Sequence, residues 1–340
     1  MNREQYDELQ AWNWSRIKPL RPREGGSPKK FQHRLDNPEP DKPHFRVGRL
    51  LHAEVLGSDG EEFFAADEGT AAAIRRYERL LPKHIDDLKE EDALLRCAID
   101  GTIAIVFGAY EKSRNMAHSE YKIWCAKNPG KHAVKQYKIE EAKRVAELMK
   151  DGIGRTLMTE SNHAHALAMA EAVKADPRAA RALRSVATEV TVTWSDPDTG
   201  LPCKGRVDAI DEAERRVIDL KSVRSIQERD LESMVMGLGY HMQIRGYGRG
   251  VRETFGWEPR RYTLICVEKE APHDVAVGNL DSEWLEIADH ELADIMTSLQ
   301  DHLNGPAGAA VGLHPNEVHL APPAWAYPQE SDLEIVWEAS

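Results

Sequence analysis

The chain has 340 residues, 41% hydrophobic and 30% charged, with 45 Lys or Arg against 57 Asp or Glu and a formal net charge of -12. That length can bury one large core, and the balance is that of a soluble globular protein. No apolar run reaches the roughly 18 residues that span a bilayer, and MNREQYDEL is not a signal peptide, so a cytoplasmic protein with an α/β core and helical additions is expected.

The charge is unevenly placed. Residues 270–340 contain 14 acids and no Lys or Arg, which leaves +2 for the first 269 residues; residues 16–49 hold ten Lys or Arg against four acids. Such asymmetry fits a basic working surface with an acidic end kept away from it, so overall acidity does not exclude DNA. Cys97, Cys125, Cys203 and Cys266 are far apart and form no CxxC pair. They read as reduced structural thiols rather than as ligands of zinc or an iron–sulfur cluster.

From the amino end, MNREQYDELQAWNWSRIKPL suggests a short helix or two, anchored by Trp12, Trp14 and Leu20. In RPREGGSPKKFQHRL, Gly25, Gly26 and Pro28 interrupt the pattern before a basic turn. Its Lys29, Lys30, His33 and Arg34 suit phosphates and plain solvent equally. FRVGRLLHAEVLGSDG reads as a helix, because Val47, Leu50, Leu51 and Val55 are spaced for one buried face and Gly57 is a stop. His52 lies beside that stripe and becomes a metal-ligand candidate only if this helix packs against the strands that follow.

Residues 62–84 read as a polar strand and a helix, residues 86–97 as a helix, GTIAIVFGAY as strand or buried helix, and residues 139–149 as a helix. A further helix, SNHAHALAMAEAVKAD, starts after a cap at Ser161, and PRAARALRSVA follows with proline near its first turn. His163 and His165 are two apart and share no helix face, so they are assigned no chemistry.

The most informative stretch is EVTVTWSDPDTGLPCKGRVDAIDEAERRVIDLK, residues 189–221. Alternation predicts strands over 189–194, 205–210 and 216–220, with turns in SDPDTGLP and DEAER. Asp208 falls near the end of the second strand; Asp219 and Lys221 share one face of the third, while Leu220 points away and leaves its carbonyl as a ligand candidate. Two carboxylates and an ammonium brought together make a hard, oxygen-rich site suited to Mg²⁺ or Mn²⁺. A D-L-K triplet alone is more often a solvated strand edge. Its place after VDAI, which carries its own acid in apolar surroundings, favours paired or metal-bound charges.

Residues 229–255 are mainly helical. Gln243 and Tyr247, four apart, share a face, with Tyr240 and Arg245 beside it, a set suited to positioning phosphate, sugar or base, although a routine amphipathic helix gives the same pattern. YTLICVEKEAPHDVAVG reads as a later strand in which Glu268 and Lys269 break the alternation, and DSEWLEIADHELADIMTSLQDHL as a closing helix. The irregular, proline-rich remainder carries Trp325 and Trp337 as docking anchors. One domain over residues 1–295 and an acidic tail over 296–340 are expected.

Together these pieces resemble the PD-(D/E)XK nuclease superfamily, and within it the RecE-like (exodeoxyribonuclease VIII-like) phage and prophage exonucleases. RVGRLLH with His52, EVTVTW with Glu189, GRVDAI with Asp208, DLK with Asp219 and Lys221, and YHMQIRGY with Gln243 and Tyr247 carry the match, which covers roughly residues 5–295. WNWSRIKPL, SPKKFQHRL and VEKEAP are also similar. The D…DxK signal alone is weak; the upstream histidine and the downstream Gln-x-x-x-Tyr in order make it specific.

The resemblance implies a mixed sheet flanked by helices, with the histidine helix packed on it. His52, Asp208, Asp219 and the Leu220 carbonyl would bind Mg²⁺ (or Mn²⁺), two ions per site, with Glu189 assisting the second. Lys221 would orient or activate water, and Gln243 and Tyr247 would place the DNA backbone. The superfamily's second acid is often Glu; Asp219 shortens the reach but keeps the chemistry, as in RecE-like members. It further implies 5′-to-3′ digestion of double-stranded DNA ends, leaving 3′ single strands for an annealing protein, and a homo-oligomeric ring (trimer or tetramer) around DNA. The alternatives are a PD-(D/E)XK nuclease of other polarity or substrate, and a non-catalytic DNA-end-binding recombination scaffold.

Overall fold

Period-two alternation in the middle of the chain decides the architecture. In a computed structural model, residues 3–57, 61–72 and 155–305 are described. The expectations for residues 73–154, which include Cys97 and Cys125, and for the tail with Trp325 and Trp337 lie outside them. Strands β3 (Ala187–Ser195), β4 (Pro202–Asp211), β5 (Arg216–Val223), β6 (Arg261–Glu268) and β7 (Val275–Leu280) form one sheet in the order β3-β4-β5-β6-β7. All neighbours are antiparallel except β5 and β6, which are parallel. The chain is α/β: this mixed sheet is covered by helices on both faces.

On one face Ile218, Leu220, Ile265 and Val267 pack with Leu51 and Leu56 of α4 (Pro43–Leu56), with Met169 and Val173 of α5 (Glu160–Ala175), and with Ala179 of α6 (Pro177–Ala182). On the other, Val192, Val207, Val217 and Leu264 pack with Val235 of α7 (Glu228–Leu238) and with Ile244, Tyr247 and Val251 of α8 (Tyr240–Phe255). A third cluster joins Leu20 and Phe31 near the amino end to Leu292, Ile295 and Leu299 of α9 (Ser282–Asn304). A short parallel pair, β1 (Phe63–Ala66) with β2 (Thr156–Thr159), flanks α4 and α5.

The predicted meander is present, with each strand slightly longer than its pattern. Elsewhere local chemistry adjusts the reading. The basic stretch after Gly26 is a helix, α3 (Pro28–Asp36), because Ser27 accepts from the Lys30 amide and Pro28 suits a first helical position. Thr159, not Ser161, caps α5, accepting from Asn162 N at 3.3 Å. Residues 229–255 are mainly helical, as expected, in two helices that meet at Gly239, whose φ of 73° is left-handed and whose missing Cβ makes room for the Trp14 ring. YTLICVEKEAPHDVAVG is not one strand but β6 and β7, paired antiparallel. Helix α9 runs to Asn304 with Leu299 buried, close to the closing helix read over residues 281–303.

The amino-terminal segment is strapped to the core by buried cations. Arg21, 1% exposed, donates to the Met236 and Gly237 carbonyls at the end of α7, to Glu24, and to Glu291 of α9 at 2.9 Å. A cation at a helix C-terminus satisfies carbonyls that lack intrahelical partners. Lys204 of β4 donates to the Tyr6 and Leu9 carbonyls, while Trp12 exchanges backbone hydrogen bonds with Pro202 and Lys204. Arg21→Ala removes the cation and leaves Glu291 and two carbonyls short of a donor. It is expected to cost about 3–5 kcal/mol, measured by urea denaturation.

Candidate active site

The site forms where the sheet forks. Strands β4 and β5 pair only at Ala209–Ile218, Ile210–Val217 and Asp211–Arg216. The next position in that register would face Asp208 with Asp219, and there the ladder stops. The β3–β4 register skips its Glu189–Asp208 position and resumes on both sides. Three acids on three neighbouring strands therefore sit level with one another at an opening in the hydrogen-bond ladder.

Local backbone geometry makes the opening. Glu189 has φ 51°, in the left-handed region that a non-glycine residue rarely adopts within a strand. Alternation slips across Asp208: Val207 and Ile210, three apart, face the α8 layer, whereas Ala209 joins the cluster on the opposite face with α4 and α5. The Asp208 carboxylate replaces the missing ladder bond by accepting from the Leu220 amide at 2.7 Å through Oδ2.

Helix α4 brings His52 to this opening because Leu51 and Leu56 anchor the helix to the sheet. His52 Nδ1 lies 3.6 Å from Asp208 Oδ1. One ligand atom each from His52, Glu189 and Asp208 lies within 4.8 Å of the others, the one such cluster among the described residues. Asp219 is fully buried behind them, its Oδ2 2.6 Å from the Lys221 ammonium, and its Oδ1 has no hydrogen-bond partner among the described residues. The Leu220 side chain turns into the core, as its alternation requires, and its carbonyl faces the His52 ring. A nitrogen, several carboxylate oxygens and an orphaned buried oxygen fit a hard divalent cation.

Burial raises both central carboxyls, Asp208 to about 6 and Asp219 to about 6, against the pull of the Lys221 charge. Burial also works against the ammonium of Lys221, but Asp219 and Asp208 overcome it and hold the group above the ordinary lysine value. Desolvation, then the Lys221 charge, keeps His52 below the ordinary histidine value, although 27% of its side chain still meets the cleft. A neutral imidazole keeps a lone pair for a cation. Two buried carboxyls against one ammonium in a low-dielectric fork thus leave an excess of negative charge that a bound cation would balance.

A cleft of about 630 Å³ opens above the fork, lined by α4, β4, β5 and the start of α8. Tyr240, Gln243 and Tyr247 reach it as the sequence suggests: the Lys221 ammonium stands 5.2 Å from the Tyr240 ring centre, and Gln243 donates to the Tyr247 hydroxyl at 2.7 Å. Arg245 does not. Two residues from Gln243, it points off the other side of α8, where a fork to Asp289 (2.9 Å twice) and a bond to the Tyr262 hydroxyl hold it. That is a correction to its expected DNA-positioning role; it locks α8 to α9.

Two features escape the motif reading. Arg206 donates to Glu189 Oε2 at 2.6 Å and lines the cleft; alternation alone puts it on the face of Asp208, two residues on. Gly205 lets α8 approach, since a Cβ there would lie 2.8 Å from the Tyr247 ring. The thiols of Cys203 and Cys266 are buried and pushed up to about 12, first by burial, which suits a structural role.

A family model described as a PDDEXK-like domain of unknown function (DUF3799) matches residues 102–309, a span that includes the whole five-stranded sheet and leaves His52 outside. No curated protein matches the chain. Among the solved structures similar to this chain are two of low identity. One is a Eubacterium rectale protein provisionally named an exonuclease, 19% identical over 57% of this chain and 74% of that one, with a TM-score of 0.39. The other is SSO0001, 18% identical over 66% of this chain and 84% of that one, with a TM-score of 0.25.

Two outcomes follow from the geometry. In Mn²⁺ titration calorimetry without nucleic acid, His52→Ala, Glu189→Gln and Asp208→Asn should each weaken binding at least 10-fold, since even outer partners of metal ligands are worth about 10- to 100-fold. Glu253→Gln, on α8, whose carboxylate accepts from the Ser195 amide at the far end of β3, should leave it unchanged. Gly205→Ala should overpack the Tyr247 contact and cost about 1–3 kcal/mol in chemical denaturation.

Proposed function

The chain belongs to the PDDEXK-like family DUF3799, and from that premise we propose that it is a metal-dependent DNA exonuclease, a phosphodiester hydrolase. The observation that carries this reading is the meeting of His52, Glu189 and Asp208 within 4.8 Å beside the buried Asp219–Lys221 pair. His52, Asp208, Asp219 and the Leu220 carbonyl would hold Mg²⁺, with Glu189 as an added oxygen donor for a second ion. A divalent cation held there supplies Lewis acidity toward a phosphoryl oxygen and lowers the pKa of a bound water.

The chain's own groups do the rest. Lys221 stays an ammonium, because Asp219 and Asp208 hold its pKa up, so it acts as a donor and positive charge rather than as a base. It orients water for in-line attack and offsets charge developing on the phosphoryl oxygens. Asp219 and the Tyr240 ring fix its position. Gln243, oriented by Tyr247, has an amide with capacity left for a phosphate or sugar oxygen. Arg206 holds Glu189 at the opening and adds positive charge to the cleft wall.

The finer reading rests on the RecE-like resemblance: digestion of double-stranded DNA ends 5′-to-3′, a 3′ strand handed to an annealing protein, and a ring of copies that retains the duplex by topology. Duplex DNA labelled at either the 5′ or the 3′ end tests it. The 5′ label should be released first with Mg²⁺ and retained in EDTA, and Lys221→Ala should slow release by about 10²-fold or more. Release in EDTA, or unchanged cleavage by Lys221→Ala, would overturn the mechanism; earlier loss of the 3′ label would overturn the polarity alone.

A further inference from the structure

Helix α4 carries more than His52 into the cleft. His44, Gly48 and His52 recur every four residues and so share a face, with Phe45 beside His44; all four line the cleft. Phe45 is 40% exposed, and of the large hydrophobic side chains exposed among the described residues it alone lines this cleft. Its ring centre lies 4.3 Å from that of His44 at 58°, and the Lys42 ammonium stands 5.9 Å from it.

Gly48 fills the space between this aromatic pair and His52. A Cβ at Gly48 would meet nothing within 4 Å among the described residues, so no described neighbour requires glycine there. Glycine weakens a helix interior relative to alanine; its use here keeps the cleft wall open.

From these placements we infer that Phe45, with His44, is a stacking platform for an unpaired nucleobase of the DNA strand being cut, and that Gly48 leaves room for the sugar–phosphate chain running from that base to the fork. The inference rests on the nuclease reading of the same cleft. At 1.5 Å per residue, Phe45 lies about 10 Å along the helix from His52. An exposed ring takes any base by its π face, and a neighbouring lysine suits the phosphate beside it. A base can reach such a ring only when it has left its pair, so the substrate would enter as a frayed or single-stranded end.

Fluorescence anisotropy in EDTA with a short single-stranded oligothymidylate tests this, together with a set of the same oligonucleotide carrying one abasic sugar at successive positions. Phe45→Ala should weaken binding about 5- to 150-fold, the loss of one base–aromatic stack. Phe45→Leu, which keeps apolar bulk without a π face, should bind like Phe45→Ala, and Phe45→Trp like wild type. One abasic position should cost wild type the same factor and cost Phe45→Ala nothing further. Wild-type affinity in Phe45→Ala or Phe45→Leu, or equal abasic losses in wild type and Phe45→Ala at every position, would overturn the platform and leave the nuclease reading standing. Failure of wild type to bind any of these oligonucleotides or duplex DNA would overturn both.

Discussion

Two carboxylates and one ammonium, buried together where two strands part, set the terms for the rest of the structure. A lone buried charge is too costly to keep, and Asp219 is tolerable because Lys221 stands 2.6 Å away. Two acids against one lysine still leave negative charge in excess, and burial pushes both acids toward neutrality. A site that strains to shed charge when empty gains most from a divalent cation. The same electrostatics that cost the fold stability thereby suit the fork to the cation proposed for it.

The fork depends on what surrounds it. Strand β5 cannot follow β4 past Ile218, because Asp208 and Asp219 would become directly opposed like charges in the ladder. It pairs instead with β6 along its whole length. Glu189 turns at a left-handed φ, Arg206 holds its carboxylate, and the Leu220 amide bonds the Asp208 side chain in place of a backbone carbonyl. Strain and substituted hydrogen bonds of this kind persist where neighbouring packing over-determines the backbone. Here α4 and α5 press on one face of the sheet and α8 on the other.

The cleft walls are fixed by contacts remote in sequence. Glycines let α8 lie close to the sheet: a Cβ at Gly205 would strike Tyr247, one at Gly248 the Tyr262 ring, and one at Gly250 Val192 and Trp194. Arg245 and Arg249 share Asp289 and so tie α8 to α9. Arg21 ties the amino-terminal segment to the end of α7 and to α9. Each cation joins helix ends or acids from separate elements, so the scaffold around the site is held by satisfied polar groups as well as by apolar packing.

Much of this was legible in the residues. Alternation marked the meander because successive side chains of a strand point to opposite layers, and the same period of two placed Asp219 and Lys221 together while sending Leu220 into the core. The apolar stripe of Val47, Leu50, Leu51 and Val55 gave α4, and spacing of four put Gln243 and Tyr247 on one face. The helix capped at Ser27 and the β6–β7 reversal differ from the sequence reading because a turn signal competes with periodicity, and local pattern does not weigh one against the other. Arg245 was misplaced because neighbours in sequence on a helix face different partners, and Asp289, forty-four residues away, claimed it. The sequence by itself determined which residue types could make a cation site and on which elements they lie, since side-chain direction is a local property of helix and strand. Only the tertiary structure decided that His52, Glu189 and Asp208 meet, that Asp219 lies behind them with Lys221, and that the ladder opens there. Those outcomes depend on how whole layers pack, which no local periodicity encodes.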